Sequence, residues 1–253
     1  MLLPSFWLDA LLLSTGFIAG TVDAIAGGGG LISLPMLLMV GLPPHLALGT
    51  NKLQASIGTL TATLNYFRHG FIRVDKIILG LIASFIGASL GALTAQLLSS
   101  QLLQKLIIVF LLLIFLYTVL RPKIGLQESA AKISATLFFI LFGFLLSFYD
   151  GFLGPGTGSF WIMALVFFLG LNLAQATAYT KVFNLESNLV ALAWFIGGNN
   201  VNYKMGLIMA VGQIIGGKLG SHLVIKKGAA FVRPIFLCVV LVTLVVMIYR
   251  NVN

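Results

Sequence analysis

Apolar residues run through the chain in ten blocks, at 6–25, 31–42, 46–67, 77–98, 102–120, 133–149, 159–171, 174–196, 205–225 and 231–249. A helix that crosses a bilayer needs about 20 such residues. Most blocks come near that length, but the second and seventh hold only 12 and 13 residues and are short for a full crossing. No stretch alternates with period two, which argues against an outer-membrane barrel. The longest polar interval, 121–132, is too short to house a soluble domain. The pattern predicts an all-α integral membrane protein.

The blocks also repeat. Gly16, Phe17, Asp23, Gly27 and Gly29 recur 127 residues later as Gly143, Phe144, Asp150, Gly154 and Gly156. Gly41, Lys52, Gly87 and Gly91 recur 129 residues later as Gly170, Lys181, Gly216 and Gly220. Each half then holds about five hydrophobic segments. The expected division is a first transmembrane repeat at 1–123, a cytoplasmic linker at 124–131 and a second transmembrane repeat at 132–253.

Charge decides how the halves are oriented. The loop after the third block carries Arg68, Arg73 and Lys76, whereas its counterpart carries only Lys204. The loop after the fourth block has Lys105 near its edge, whereas its counterpart carries Lys226, Lys227 and Arg233. The asymmetry reverses between halves. Inverted repeats place every rich loop, and the linker, in the cytoplasm with both termini outside; parallel repeats do not. This requires an odd number of crossings per half. Five full crossings satisfy it, and so do three full spans plus a re-entrant pair made from the first two blocks.

Composition sharpens this picture. Hydrophobic residues make up 59% of the 253 residues and charged residues 8%, with a mean hydropathy of +1.08. A soluble domain carries roughly 25% charged residues. The net charge of +9 is scattered through short loops, where it serves orientation in a bilayer, so nucleic acid is not an expected partner. The single cysteine, Cys238, has no intramolecular disulfide partner. No lysine or arginine precedes Lys52, so the first block lacks the charged flank of a secretory signal and is read as retained.

Candidate chemistry sits at matched places in the two halves. Gly27, Gly28, Gly29 and Gly30 are uncomfortable inside a helix, at about 1 kcal/mol each against alanine. Gly154, Pro155, Gly156, Thr157 and Gly158 form a stronger break, because proline lacks an N–H and clashes with the preceding turn. In lipid, freed backbone groups must find protein, water or ligand. A broken helix also offers a fresh positive N-terminus to an anion. The alternative is close helix packing through small residues. Two matched breaks favour a site, with the breaks expected within about 10 Å of each other near the midplane.

Lys52 and Lys181 each lie one or two turns into their blocks. Lys52, Ser56, Thr59 and Thr63 share a helical stripe; Lys181, Asn184 and Asn188 share another, with Glu186 to one side. Buried ionisable residues in membranes line pathways or pair with one another, although a lysine can also snorkel to the interface. Lys218 is expected to snorkel. Asp23 and Asp150 cap the breaks, pair with Lys52 and Lys181, or take up protons. His45, after two prolines, reads as an interfacial or capping residue. No cluster has metal-ligand spacing and no nucleophile–base–acid set appears, so neither a metal, a cofactor nor an enzyme activity is expected.

These residues resemble the sulfite exporter TauE/SafE family, and within it the YfcA-like branch. The resemblance rests on residues 20–30, on Gly49-Thr50-Asn51-Lys52 and on residues 149–158, and it covers nearly the whole chain. It implies a multi-pass transporter of the bacterial inner membrane. The implied substrates are small, often sulfur-containing anions such as sulfite or organosulfonates, and the implied coupling is to protons. Broken-helix N–H groups with Lys52 and Lys181 would bind the anion, and Thr50, Asn51, Gln54, Thr157, Thr180 and Asn184 would orient it. One repeat would rock against the other. Asn51-Lys52 is matched by Thr180-Lys181, so the half-sites differ chemically. A passive anion channel is the alternative, and a non-transporting membrane scaffold comes third. A small anion and the lipid bilayer are the expected partners, with a homo-oligomer left open.

Overall fold

The structure, a computed structural model, describes residues 5–72, 77–109 and 130–227. These form α1 (Ser5–Ala26), α2 (Gly30–Met39), α3 (Pro44–Arg68), α4 (Ile78–Leu97), α5 (Ser100–Val109), α6 (Ala135–Phe152), α7 (Thr157–Leu169), α8 (Leu173–Gly197) and α9 (Tyr203–Lys227). No strand occurs among the described residues. The tenth apolar block, the later part of the fifth, Arg73, Lys76, Arg233, Cys238 and nearly all of the linker lie outside them.

Helix lengths follow the apolar blocks. α1, α4, α6 and α9 are long and apolar enough to cross a membrane. α2 and α7, at 10 and 13 residues, reach only about 15–20 Å at 1.5 Å per residue. A hydrocarbon core is about 30 Å thick, so neither is long enough to cross one as a straight helix. α3 and α8 have 25 residues each but are the polar pair.

Packing is inside out relative to a soluble protein. Ile82, Phe85 and Ile86 of α4, Leu141 and Leu145 of α6, and Val211 and Ile215 of α9 face outward, while α3 and α8 bury lysine, asparagine and threonine. An apolar exterior is what lipid as solvent demands. The outer helices meet the rest through close backbone seams. On the α1–α9 seam a Cβ added to Gly16 would fall 2.2 Å from the Met209 carbonyl oxygen. On the α4–α6 seam a Cβ on Gly87 would fall 2.2 Å from that of Phe144. Small residues let helices approach this closely in membranes.

The contacts also fix directions. Gly16 meets Met209 and Gly220 meets Thr21, so α1 and α9 run parallel. Leu53 meets Gly206 and Asn65 bonds Ser221, so α3 runs with them. Gly80 meets Phe139 and Gly91 meets Phe148, so α4 and α6 are parallel; Ser84 to Glu186 and Gln96 to Trp194 add α8 to that group. The groups oppose each other where α3 meets α8: Thr63 bonds the Lys181 carbonyl at 3.1 Å, while Gly49, at the other end of α3, touches Asn200. Each α1-like helix thus packs on the α4-like helix of the other half.

Candidate functional site

The site is built where the four broken-helix segments meet α3 and α8. α1 stops at Ala26, and Gly27 turns the chain at φ +69. α6 stops at Phe152, and Gly154 and Gly156 adopt φ +90 and +80 around Pro155. A residue with a Cβ is strained at such angles, so glycine is what lets both helices end here. The two breaks touch. A Cβ on Gly27 would fall 2.3 Å from the Gly158 Cα, and one on Gly30 would fall 3.2 Å from the Pro155 Cα. Ser159 Oγ donates to the Ala26 carbonyl at 2.7 Å, and Tyr149 OH donates to the Pro155 carbonyl at 2.8 Å. The expected close approach of the breaks is therefore observed.

Each break is closed by a charge from the other half. Lys52 Nζ donates to Asp150 Oδ1 at 2.8 Å and to the Asp150 carbonyl at 2.6 Å. Lys181 Nζ donates to Asp23 Oδ2 at 2.9 Å. Both lysines are buried, so neither snorkels. Asp150 also accepts from Thr157 Oγ1 at 3.3 Å and from Ser187 Oγ, while Thr157 donates to the Gly154 carbonyl at 2.7 Å. Asp23 is the less buried carboxylate; its Oδ1 faces the Gly29 N–H at 3.4 Å, and its carbonyl takes the Gly27 N–H at 2.9 Å. Gly28 accepts from the Leu31 N–H at 3.0 Å as α2 begins. Buried charges in low dielectric need this pairing and hydrogen bonding to be tolerated.

The remaining predicted residues divide. Asn51 Oδ1 accepts from Ser33 Oγ at 2.5 Å and from Gln54 Nε2 at 2.8 Å, and Gln54 in turn accepts from Gln213 Nε2. This chain of amides links α2, α3 and α9. Thr50 accepts the Asn202 N–H at 2.8 Å, where α9 is about to begin, and Thr180 donates to its own helix at the Ala176 carbonyl. Those two threonines hold backbone. Asn184 sits at the meeting of the breaks: its amide nitrogen is 2.8 Å from where a Gly158 Cβ would be, and its buried Oδ1 has no hydrogen-bond partner.

Ser33, Ser187 and Gln213 complete the site and were not singled out from the sequence. A serine in an apolar block carries the same signal as a small packing residue, so only the tertiary partner distinguishes it. His45 caps α4: its Nε2 lies 3.1 Å from the carbonyls of both Ala95 and Leu98. Lys218 is exposed, as a snorkelling lysine would be. A cavity of about 630 Å³ opens where α3 ends and α8 begins, lined by His69, Phe139, Asn172, Gln175 and Tyr179 among others. It touches none of the predicted site residues, although Tyr179 is two residues from Lys181. No group of residues suited to a metal occurs among the described residues.

The family model described as sulfite exporter TauE/SafE matches residues 12–247. A "Probable membrane transporter protein" of Haemophilus influenzae is 42% identical over 225 residues, covering 89% of this chain and 88% of its own. The "Probable membrane transporter protein YfcA" of Escherichia coli strain K12 is 38% identical over 238 residues, covering 92% and 88%. The "Probable membrane transporter protein YunE" of Bacillus subtilis is 26% identical over 238 residues, covering 83% and 86%. No solved structure matches the chain.

Proposed function

The chain belongs to the sulfite exporter TauE/SafE family, and from that membership we propose that it is a secondary transporter moving a small anion, sulfur-containing such as sulfite or an organosulfonate, across the bacterial inner membrane with proton coupling. It works as a multi-pass carrier built from two inverted repeats and performs no covalent chemistry. The observation that carries this reading is the contact of two broken helices, each tied by a buried lysine–aspartate pair whose members come from opposite halves.

The opposed directions of α3 and α8, and of the helix groups around them, support inversion. The first helical N–H groups of α2 and α7 lack intrahelical partners and carry the positive end of the helix dipole. The N–H groups of Leu31, Ile32, Thr157 and Ser159 already donate to carbonyls of the breaks, so what the two helix starts offer an anion is chiefly this positive dipole end. Lys52 spends two of its three donors on Asp150, which leaves one for an anion. An anion bound there competes for the lysine, loosens a tie between the repeats, and so links occupancy to their rocking. The cavity at the Lys181 end serves as the entry vestibule on one side.

Purified protein in liposomes, offered sulfite, thiosulfate, methanesulfonate and acetate under imposed pH gradients, tests the proposal. Accumulation of a sulfur anion above its equilibrium level, driven by the pH gradient, is the expected result. Equilibration without accumulation would instead identify a passive channel.

A further inference from the structure

Glu186 is a carboxylate that the ion pairs leave out. It projects from α8 toward α4 and α6, where Ser84 Oγ donates to its Oε2 and Ser84 and Ser147 share a hydrogen bond of 2.6 Å. Its Oε1 is buried and has no hydrogen-bond partner. No cation reaches it among the described residues. The charged group that faces it is Asp150 of α6, itself held by Lys52 of α3. α4 and α7 carry no titratable residue. Tyr149 of α6 is turned to the Pro155 carbonyl, and Lys181 of α8 is bound to Asp23 of α1.

The other half has no such group. At the repeat offset of 129, Glu186, Ser187 and Ser84 correspond to Ile57, Gly58 and Gln213, and at 127 Ser147 corresponds to Gly20. There the Gln213 amide fills the space: a Cβ on Gly58 would fall 2.3 Å from its Oε1, and one on Gly20 would fall 2.7 Å from it. A neutral amide bonded to Gln54 closes one half, while a carboxyl group with an open oxygen occupies the other.

Resting on the reading of proton-coupled anion transport, we propose that Glu186 is the group that carries the coupled proton. Intramembrane carboxylates mark ion pathways and proton relays, and Glu186 has one hydrogen bond, from Ser84 Oγ, to support its charged form and no cation among the described residues to fix it there. The step is a simple exchange. A proton from water on one side bonds to Oε1, and the carboxyl group becomes neutral. The anion then binds beside Lys52 without a second negative charge near Asp150. On the far side the O–H bond breaks, the proton returns to water, and the anion leaves. One proton accompanies each anion because only one half carries the group.

The test uses the full chain in liposomes with an internal pH dye, an anion gradient and no initial pH gradient. Methanesulfonate and thiosulfate are the probes, because their charge is constant through the pH range used. Wild type should move about one proton per anion, and anion binding should weaken about tenfold per pH unit once Glu186 is ionised, the slope of one linked proton. Glu186→Gln should still bind the anion, with no pH dependence and no proton movement. Proton movement at the wild-type ratio in Glu186→Gln would overturn the assignment while leaving transport standing. Wild-type anion flux without protons would overturn the coupling, and no flux of any anion in the panel would overturn the transport reading itself. A second measurement does not depend on the variant folding. The chain has two glutamates, Glu128 and Glu186. Infrared difference spectra on anion addition should show a carboxylic acid band that shifts on carbon-13 labelling of glutamate; a band insensitive to the label rejects Glu186.

Discussion

Lys52 Nζ lies 2.8 Å from Asp150 Oδ1, and Asp150 belongs to the opposite half of the repeat from the lysine. Lys181 and Asp23 make the same exchange in the other sense, at 2.9 Å. The two ties cross the interface between halves, so each half neutralises the break of its partner. A carrier whose repeats move against each other would have its most expensive buried charges at the moving surface. Loss of one member of such a pair leaves the other uncompensated, whereas loss of both can be close to neutral.

Lys52→Gln alone should therefore destabilise the protein by about 3–5 kcal/mol, through the stranded Asp150 carboxylate. Lys52→Gln with Asp150→Asn should recover most of that loss, while Lys52→Gln with Asp23→Asn should not, because Asp23 pairs with Lys181. Thermal unfolding in detergent measures the first contrast. Transport then separates the roles of the lysine. If it only neutralises Asp150, the recovered double variant moves anion normally. If it holds the anion, that variant is stable and inactive, which is the outcome the proposed function requires.

Gly158→Ala should abolish the contact between the breaks. The new methyl group would fall 2.3 Å from the Gly27 Cα, at backbone that has no freedom to swing aside. Gly27→Ala meets the same obstacle and adds strain at φ +69, about 1–2 kcal/mol. Gly197→Ala is the control, because nothing lies within 4 Å of its added Cβ and it ends α8 in ordinary helix. That change should be neutral or stabilising by up to about 1 kcal/mol. Melting temperature and monodispersity in detergent, compared across the three variants, check the ranking; an unaffected Gly158→Ala would show that the breaks do not press together.

His45→Ala should cost about 1–2 kcal/mol and fray the end of α4, since one ring nitrogen faces the carbonyls of Ala95 and Leu98. Hydrogen exchange of the α4 C-terminal amides is the measurement. His45→Gln, which keeps a donor at a similar reach, should recover part of the protection; equal exchange in all three proteins would exclude a cap.

Much of this architecture was legible in the sequence, for reasons that differ by feature. The shortness of α2 and α7 follows from block length alone, because 12 or 13 apolar residues make a helix shorter than the hydrocarbon core. The breaks follow from glycine and proline, whose backbone preferences are local. Lys52, Lys181, Asp23 and Asp150 stand out because charge is rare in lipid. Which aspartate pairs with which lysine was not legible: periodicity fixes the face of a helix, not the half that packs on it. Ser187 and Ser33 carry no local signal, since their importance lies in reaching Asp150 and Asn51. Thr50 and Thr180 show the converse: polar positions near a motif lysine that turned out to hold backbone.

Parallel contacts join α3 to α9, and antiparallel contacts join α3 to α8. If these helices cross the bilayer, the end of α3 and the end of α9 share one face, and the end of α8 lies on the other. His69, Lys226 and Gly197 mark those three ends, and all are exposed. In a Cys238→Ser background, single cysteines at the three positions should report the arrangement to a membrane-impermeant thiol reagent in intact cells. Gly197→Cys should react from outside, whereas His69→Cys and Lys226→Cys should react only after the membrane is opened. The charge pattern gives the absolute sense, since Arg68 adjoins His69, Lys227 follows Lys226, and basic loops stay in the cytoplasm. Reaction of all three from one face would rule out α3 and α8 as opposed crossings, and with them the inverted repeats on which the transport proposal stands. Reaction of the pairs with inside and outside exchanged would keep the fold and reverse only its orientation.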